Sequence, residues 1–192
     1  MANCMEKKIK PGVDVGLTKD DKATLYAIAR TAIECGAVGK KPPALEIKSD
    51  ILKENRGAFV SLHRHGNLRG CIGHIQPTRP LYKTVQDMAI AAAFQDPRFE
   101  PVSLDEIDEL DIEISVLTPM KKIENIQEIE VGKHGLYMVN NIYHGLLLPQ
   151  VATNYGWNKK TFLEHTCVKA GLPQDAWTDK NTEIYIFSAD IF

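Results

Sequence analysis

Residues 57–73 of the chain read GAFVSLHRHGNLRGCIG, and this stretch predicts a β-hairpin. Two strand-like runs, residues 57–64 and 67–75, flank Gly66. Glycine adopts the positive φ angles of tight turns at little cost, and two such runs around a turn residue are typical of hairpins. We therefore take this hairpin as the starting point for the rest of the fold.

The apolar residues of the hairpin predict its register. Both strands contain an even-numbered apolar set, which consists of Ala58, Val60, Leu62, Leu68 and Ile72. A slip of one residue moves the side chains of a strand to the other face, so these residues share a core face only if paired residues have the same parity. A two-residue loop of Gly66 and Asn67 breaks this parity. A three-residue loop that pairs His63 with Asn67 preserves it, and we predict that loop.

This register also assigns the other hairpin residues to a face. It predicts that six residues lie on the side of the sheet away from the main core: Phe59, Ser61, His63, Arg69, Cys71 and Gly73. Because neighbouring residues of a strand point to opposite faces, His74 lies on the other side. A pair between Cys71 and His74 is therefore not expected.

Periodicity predicts the elements around the hairpin. A helix begins after Thr18, its predicted N-cap, and ends at Gly36. Further helical patterns cover residues 80–95, 149–155 and 159–170, and strand patterns cover 110–117, 135–140, 143–148 and 183–192. Residues 40–56 are interpreted as a connector with little core. Hairpins mixed with helices, without regular β-α-β alternation, indicate an α+β fold with a mainly antiparallel sheet flanked by helices.

Composition excludes several classes of protein. A chain of 192 residues is long enough to form one domain with its own core. The formal net charge of −2 argues against a nucleic-acid-binding protein, although a local basic patch remains compatible with it. No apolar run approaches the roughly 18 residues of a membrane span, and residues 1–10 lack the apolar region of a secretory signal. A cytoplasmic location is expected.

The cysteines and histidines do not have the spacing of a metal site. Cysteines stand at positions 4, 35, 71 and 167, too far apart for the CxxC spacing of zinc and redox sites. A metal site made of histidines would require several distant residues to converge: His63, His65, His134 and His144. We predict free thiols, no metal and no cofactor.

Cys71 is the main candidate for chemistry. Residues two apart on a strand share a face, so Arg69 should lie beside it, and a nearby cation favours thiolate over thiol. Gly70 and Gly73 leave room for a ligand or another backbone to approach. Cys71 is therefore either a nucleophile or covalent carrier activated by Arg69 and Arg98, or a small residue in a tightly packed strand.

The other candidates also have two interpretations each. Arg69 either binds a carboxylate or phosphate ligand or pairs with a structural acid such as Asp96. Asp96 and Arg98 flank Pro97 and are assigned to ligand binding, with helix or turn capping as the structural alternative for Asp96. Ser61 and His63 join the ligand-binding group because they share the face of Cys71.

His134 and the region around Trp157 give weaker signals. His134 stands between Lys133 and Gly135, and it is either an acid–base catalyst or a histidine of a surface turn. Lys159 and Lys160 follow Trp157 closely, an arrangement seen in sites where RNA bases stack. The apolar residues that come next favour a core helix instead.

Several ordered segments resemble the AMMECR domain family. The most specific is LRGCIG, residues 68–73, which is called the LRGCIG motif below. The others are GAFVSL (57–62), DPRFEP (96–101), IEISVL (112–117), GKHG (132–135), GLLLPQV (145–151), Trp157, FL (162–163) and KAGL (169–172). The resemblance covers residues 17–192 as a single domain with two subdomains, and residues 1–16 are predicted to be an irregular N-terminal segment.

The resemblance implies a fold and a set of partners, but no reaction. It implies two unequal lobes with a cleft between them, and an association with Memo-like proteins, which resemble extradiol dioxygenases, or with radical-SAM proteins. Our first hypothesis is a small cytoplasmic enzyme or enzyme subunit that binds an anionic small molecule at the LRGCIG motif, with Cys71 as the reactive thiol. The alternatives are a non-catalytic binding module that acts with a Memo-like or radical-SAM partner, and an RNA- or protein-binding accessory factor.

Overall fold

A computed structural model describes residues 13–192, and it contains two antiparallel sheets flanked by helices. The α+β class predicted from the sequence is confirmed. The contacts divide the chain into a first unit, residues 14–118 with Phe192, and a second unit, which contains residues 119–191. The predicted cleft between lobes, and the treatment of residues 17–192 as one domain, stay predictions. Within the described residues, no helix combines the length and apolar character that crossing a bilayer requires.

The first unit consists of two helices and a sheet. Its elements are α1 (Lys19–Ala37), β1 (Ala58–Arg64), β2 (Asn67–His74), α2 (Leu81–Phe94) and β3 (Leu110–Leu117), with short 3₁₀ turns at Ile51–Lys53 and Leu104–Glu109. Strand β1 is central and pairs antiparallel with β2 on one side and β3 on the other. On the far side of β3, the backbone of Phe192 exchanges two hydrogen bonds with Ile114 (2.9 and 3.1 Å).

The core of the first unit lies between the sheet and α2, against which α1 packs. The even-numbered apolar residues of β1 (Ala58, Val60 and Leu62) are fully buried, as the hairpin pattern predicts. Helix α1 begins as predicted. The hydroxyl of Thr18 accepts from the Asp21 N–H (3.1 Å), and the Asp21 carboxylate accepts from the Thr18 N–H (2.9 Å), which satisfies donors that a helix start leaves unpaired.

The turn of the first hairpin differs from the prediction. Arg64 pairs with Asn67, so the loop contains two residues, His65 and Gly66, with φ angles of 52° and 78°. Positive φ at both central residues is the pattern of a type I′ turn, whose twist matches that of the flanking strands. The predicted pair of His63 with Asn67 is therefore wrong, since His63 pairs with Leu68.

A β-bulge at Arg69 restores the pairing of even-numbered residues of β1 with even-numbered residues of β2 that the prediction requires. Leu62 pairs with Gly70 and Ser61 with Cys71, so Arg69 is the extra residue of β2. Beyond the bulge, Phe59 pairs with Gly73 and Ser61 pairs with Cys71, so these four residues lie on one face of the sheet, as predicted. Leu68 lies before the bulge, and its predicted place in the core is wrong, because it is 41% exposed.

The second unit consists of a sheet in the order β4-β7-β5-β6 and two helices. Its elements are β4 (Lys121–Ile123), β5 (Gly135–Asn140), β6 (Tyr143–Leu147), α3 (Pro149–Asn154), α4 (Lys159–Lys169), β7 (Glu183–Phe187) and β8 (Ala189–Ile191), with 3₁₀ turns at Ile126–Glu128 and Ala176–Thr178. The core packs α4 against the sheet and includes Leu136, Met138, Phe162, Leu163 and Cys167. The predicted final strand is divided at Ser188.

Leu52 contradicts the interpretation of residues 40–56 as a connector with little core. It lies in the 3₁₀ turn Ile51–Lys53, and its side chain is only 1% exposed. The apolar residues of this segment, among them Ile47 and Ile51, which also pack against the core, are separated by charged residues and prolines. They do not sustain a helical or strand period, so the pattern does not show which of them is buried.

We expect Leu52→Ala to lower the free energy of unfolding by about 3 kcal/mol, because the truncation leaves a cavity in a closed core. The control is Leu104→Ala, since Leu104 is 59% exposed and its truncation should cost less than about 0.5 kcal/mol. Urea unfolding followed by circular dichroism measures both. Equal losses for the two variants would contradict the assignment of Leu52 to the core.

Candidate functional site

The backbone of Cys71 is held at the outer edge of β2 by two side chains. Its N–H donates to Oδ2 of Asp96 (2.9 Å), and its carbonyl accepts from Nη2 of Arg98 (3.2 Å). Arg98 also donates to the Asp96 carboxylate through Nε (2.9 Å) and Nη2 (2.6 Å). The Asp96–Arg98 pair therefore occupies hydrogen-bonding positions of the strand edge that a further strand would otherwise use.

The side chain of Cys71 has a partner on the neighbouring strand. Ser61, its register partner, is 5% exposed and donates from Oγ to the Cys71 Sγ (3.2 Å). On the other side of β1, Ser61 pairs with Glu113. The thiol, the hydroxyl and the carboxyl residue thus form one row across the three strands.

Burial raises the pKa of the Cys71 thiol above its usual value. The hydrogen bond from Ser61 and the charge of Arg98 oppose this effect only in part, and the charges of Asp96 and Glu113 add to it. Of the two cations that the sequence places near the thiol, Arg98 is the one whose charge acts on it, and burial has the larger effect. The direction of this shift favours the thiol over the thiolate.

Arg69 is bound by Glu106. Its Nε and Nη2 donate to the two carboxylate oxygens of Glu106 (both 3.0 Å), and Nη1 donates to the carbonyl of Glu100 (2.8 Å). Arg64 shares the same carboxylate (2.9 Å). The structural alternative for Arg69 is therefore realised, although with Glu106 rather than with Asp96.

The carboxylates of this network are stabilised in their charged form. The hydrogen bonds from Arg69 lower the pKa of Glu106 to about 2, although its burial acts in the opposite direction. Hydrogen bonds from Arg98 hold the pKa of Asp96 well below its usual range. Asp96 is 4% exposed, whereas the side chain of Arg98 is 48% exposed. Arg98 is thus the half-exposed cation next to Cys71.

The two glycines of the motif make room for other parts of the first unit. A Cβ at Gly70 would lie 2.1 Å from the carbonyl oxygen of Ala92 in α2. A Cβ at Gly73 would lie 2.1 Å from the ring of Phe59. Of the two possibilities that the sequence left open for Gly70, the close approach of another backbone is the one found.

The histidines lie in separate local environments. His63 is a partly buried residue of β1, and Nε2 of His74 lies 3.0 Å from the Thr78 hydroxyl. His134 belongs to the second unit, where its Nδ1 accepts from the Glu130 N–H (3.2 Å) and where burial lowers its pKa. Across residues 13–192, no group of three His, Cys, Asp or Glu side chains is placed to hold a metal ion.

Glu106 is the site residue that pattern analysis missed. A signal for it was present, because Ser103 and Glu106 have the S-x-x-E spacing of a capping box. The Glu106 carboxylate does accept from the N–H (2.9 Å) and the hydroxyl (3.1 Å) of Ser103. That spacing predicts the start of a helical turn, but not the contact with Arg69.

The family model described as AMMECR1 matches residues 26–192. The chain belongs to the AMMECR1 family. This match confirms the resemblance recognised from the LRGCIG motif and its neighbouring segments, and it includes Cys71 and every residue bound to it.

Relatives in the AMMECR1 family include archaeal proteins of similar length. A protein of Methanothermobacter thermautotrophicus is 45% identical over an alignment of 183 residues, which covers 92% of this chain and 95% of that protein. One from Methanocaldococcus jannaschii is 41% identical and covers 92% and 91%. The crystal structure of an uncharacterised protein of Pyrococcus horikoshii is similar, with a TM-score of 0.84 and 44% identity over 87% of this chain and 88% of that one.

We expect Gly70→Ala to destabilise the first unit by about 3 kcal/mol, because the added methyl group collides with the backbone of α2. Gly39→Ala is the control. Gly39 has open space around it and a φ of 67°, so its replacement should cost only the strain of the left-handed region, about 1 kcal/mol. Thermal and urea unfolding compare the two, and a stable Gly70→Ala protein would refute the close contact with Ala92.

Glu106→Gln should lower stability by about 2 kcal/mol at pH 7, because it weakens hydrogen bonds to two guanidinium groups. A carboxyl group whose pKa is depressed on folding stabilises the protein above its unfolded pKa, about 4.3, and loses this effect as pH falls toward its folded pKa. The difference between wild type and variant should therefore shrink below about pH 4 and be nearly gone near pH 2. Unfolding measured across pH tests this, with the exposed Glu130→Gln as a control that changes little. A difference independent of pH would contradict the ionised pair.

Proposed function

We propose that this AMMECR1 domain is a non-catalytic binding module whose first unit presents the surface around Cys71 to a partner that carries out the chemistry. The Cys71 surface is defined here as the partly buried residues Phe59, Cys71 and Glu113 together with the exposed Arg98. The observation that supports the proposal most strongly is that the polar groups of the LRGCIG motif are bound within the protein. Such a network fixes a surface in advance, which lowers the entropic cost of binding.

The state of Arg69 argues against a ligand site at that residue. Its guanidinium donates to Glu106 and to the carbonyl oxygens of Glu100 and Pro101, and its side chain is 15% exposed. An anionic ligand would have to displace a carboxylate that is itself nearly buried. Separating such a pair leaves a buried charge without its partner, which is costly.

The state of Cys71 argues against nucleophilic catalysis. The thiolate is the nucleophilic form of cysteine, and burial disfavours it here. A neutral thiol beside Ser61 instead acts as a small, weakly polar contact group. In this proposal, Cys71 contributes shape to the surface, and Asp96 holds its backbone in place.

Arg98 is the group of this surface most suited to an anionic partner. Its side chain is 48% exposed although it donates to Asp96 and to the Cys71 carbonyl. A guanidinium binds a carboxylate or phosphate in a planar, bidentate manner. The family resemblance suggests a Memo-like or radical-SAM protein as the partner, and a carboxylate on its surface would fit Arg98.

The second candidate function is an enzyme that uses Cys71 as a reactive thiol on an anionic small molecule. The observation that favours it is the charge of Arg98 beside the thiol, which lowers the pKa of Cys71 in part. Binding of an anion at Arg98 would place it next to the sulfur. The two candidates differ in the ionisation and the necessity of the Cys71 thiol, and both properties can be measured.

We expect the Cys71 thiol to be alkylated by iodoacetamide with an apparent pKa above about 8.5, because the thiol is buried. Peptide mass spectrometry across pH separates Cys71 from the other cysteines, and Cys35 in the same protein serves as the comparison. An apparent pKa clearly below that value would favour the enzyme over the binding module.

A binding assay completes this test. Candidate Memo-like and radical-SAM proteins from the same genome are assayed for binding by calorimetry. Cys71→Ser should retain binding, whereas Arg98→Gln should weaken it roughly tenfold or more, as expected for a charged group at an interface. Arg79→Gln is the matched control, because Arg79 is another exposed arginine of the first unit, 65% exposed. If Cys71→Ser abolishes the activity of a complex that still forms, the binding-module proposal is wrong.

A further inference from the structure

A cavity of about 470 Å³ lies beside helix α2 in the first unit. One wall is a single face of α2 and its C-cap, where lining residues recur at helical intervals: Thr84, Asp87, Ala91 and Gln95. The opposite wall is the end of β2 and the segment after it, with His74, Thr78 and Arg79. Sites for small molecules are concave and have volumes of roughly 300–1,000 Å³. The cavity therefore has the size of a ligand site.

The cavity contains a cation and an anion that are paired with each other. Nη1 of Arg79 donates to Oδ2 of Asp87 (2.6 Å), and the two side chains are 65% and 40% exposed. Among the described residues that line the cavity, no other Arg, Lys, Asp or Glu is present. An exposed ion pair contributes little to stability, so a ligand can separate this pair at small cost.

The remainder of the cavity has an apolar surface made by Met88, Ile90 and Ala91. Met88 and Ala91 come one and four residues after Asp87, so the apolar part continues along the helix from the charged pair. The exposed amide side chain of Gln95 follows one turn after Ala91. From Thr84 to Gln95 the helix rises about 16 Å. A ligand that fills this space has a charged end and a bulky apolar part.

Hydrogen bonds hold the wall opposite α2 in place. Nε2 of His74 lies 3.0 Å from the Thr78 hydroxyl. The carbonyl of Arg79 accepts from the Arg56 N–H (3.3 Å) and from the hydroxyl of Thr84 in α2 (3.4 Å). The last two bonds involve the backbone of Arg79 and not its side chain, so a change of side-chain partner leaves the wall intact. The cavity is therefore formed before a ligand arrives, which lowers the entropic cost of binding.

We infer that this cavity binds an α-amino acid with a large apolar side chain. The ligand carboxylate accepts from the guanidinium of Arg79, and the ligand ammonium donates to the carboxylate of Asp87. The ligand side chain lies on the apolar part of the cavity, where its removal from water favours binding. The inference goes beyond the binding module proposed above, because the cavity shares no residue with the Cys71 surface.

The charge balance of the cavity favours a zwitterion over a simple anion or a simple cation. A carboxylate without an ammonium group would bring its charge next to Asp87, and an amine without a carboxylate would bring its charge next to Arg79. Like charges placed together oppose binding. A ligand with both groups inserts into the ion pair, so that each charged side chain keeps an opposite charge as its partner.

The test is isothermal titration calorimetry of the full chain with L-leucine, L-methionine, L-phenylalanine and L-tryptophan. We expect saturable binding of at least one of them. The amino acid that binds most tightly is then compared with its matched amine and its matched acid, which for phenylalanine are phenethylamine and 3-phenylpropionate. Each analogue lacks one charged contact and should bind roughly tenfold more weakly. L-Alanine, which lacks the large side chain, should also bind more weakly.

Two variants test the charged pair. Arg79→Gln and Asp87→Asn should each weaken binding of the amino acid roughly tenfold. Asp87→Asn should also remove the preference for the amino acid over its matched acid, because the charge that repels this acid is gone. The control is Lys53→Gln, which breaks another exposed ion pair of the same unit, with Asp50 (2.9 Å), outside the cavity. Thermal unfolding without ligand verifies that each variant is folded.

Three results would overturn the inference: no binding of any of the four amino acids, equal affinity for the amino acid and both of its analogues, or wild-type affinity in the two folded variants. The second result would indicate a cavity that recognises an apolar group alone. The assay of partner binding proposed above contains no amino acid, so Arg79→Gln remains its control. Failure of that assay would leave the prediction for the cavity unchanged.

Discussion

The buried carboxylate of Asp96 is the constraint on which the rest of the Cys71 region depends. A charge this far from water is tolerated only when it is paired and hydrogen-bonded, and Asp96 accepts from both the Cys71 backbone and the Arg98 guanidinium. In doing so it ties the edge strand β2 to the segment that follows α2. The same contacts place Arg98 beside the thiol and leave it half exposed. The position of the Cys71 backbone and the placement of the Arg98 charge beside the thiol therefore both depend on the buried Asp96 carboxylate.

This constraint changes the meaning of the LRGCIG motif. Its glycines admit α2 and the ring of Phe59, its arginine is bound by Glu106, and its cysteine is linked through Ser61 to the central strand. The residues of the motif are therefore explained first by the packing of β2, a strand with a bulge, against its neighbours on both faces. The surface that remains available is made by Arg98 and by the residues that share the face of Cys71.

Much of the fold could be predicted from patterns, whereas the contacts of the candidate site could not. The capped start of α1 and the strand β3 follow local periodicity, and both agree with the structure. The loop at His65 and the bulge at Arg69 compensate for each other, so the residues beyond the bulge face the side that their parity predicts although the turn differs from the predicted one. The partner of Arg69 could not be predicted, because Glu106 lies 37 residues away in sequence and is brought near by tertiary packing. The sequence places Cys71 next to a cation, but local sequence does not reveal how deeply a thiol is buried.

The pairing of Phe192 with Ile114 has a consequence for the order of folding. Nearly the whole second unit lies between these two residues in sequence, so the first unit cannot complete the outer side of β3 until the second unit has been synthesised. Contacts this distant along the chain are slow to form, because a long loop must close first. On the ribosome, the helices and the first hairpin can assemble early, whereas β3 pairs with Phe192 only after the end of the chain has been synthesised. During that interval the exposed side of β3 is a place where a nascent chain could pair with a wrong strand.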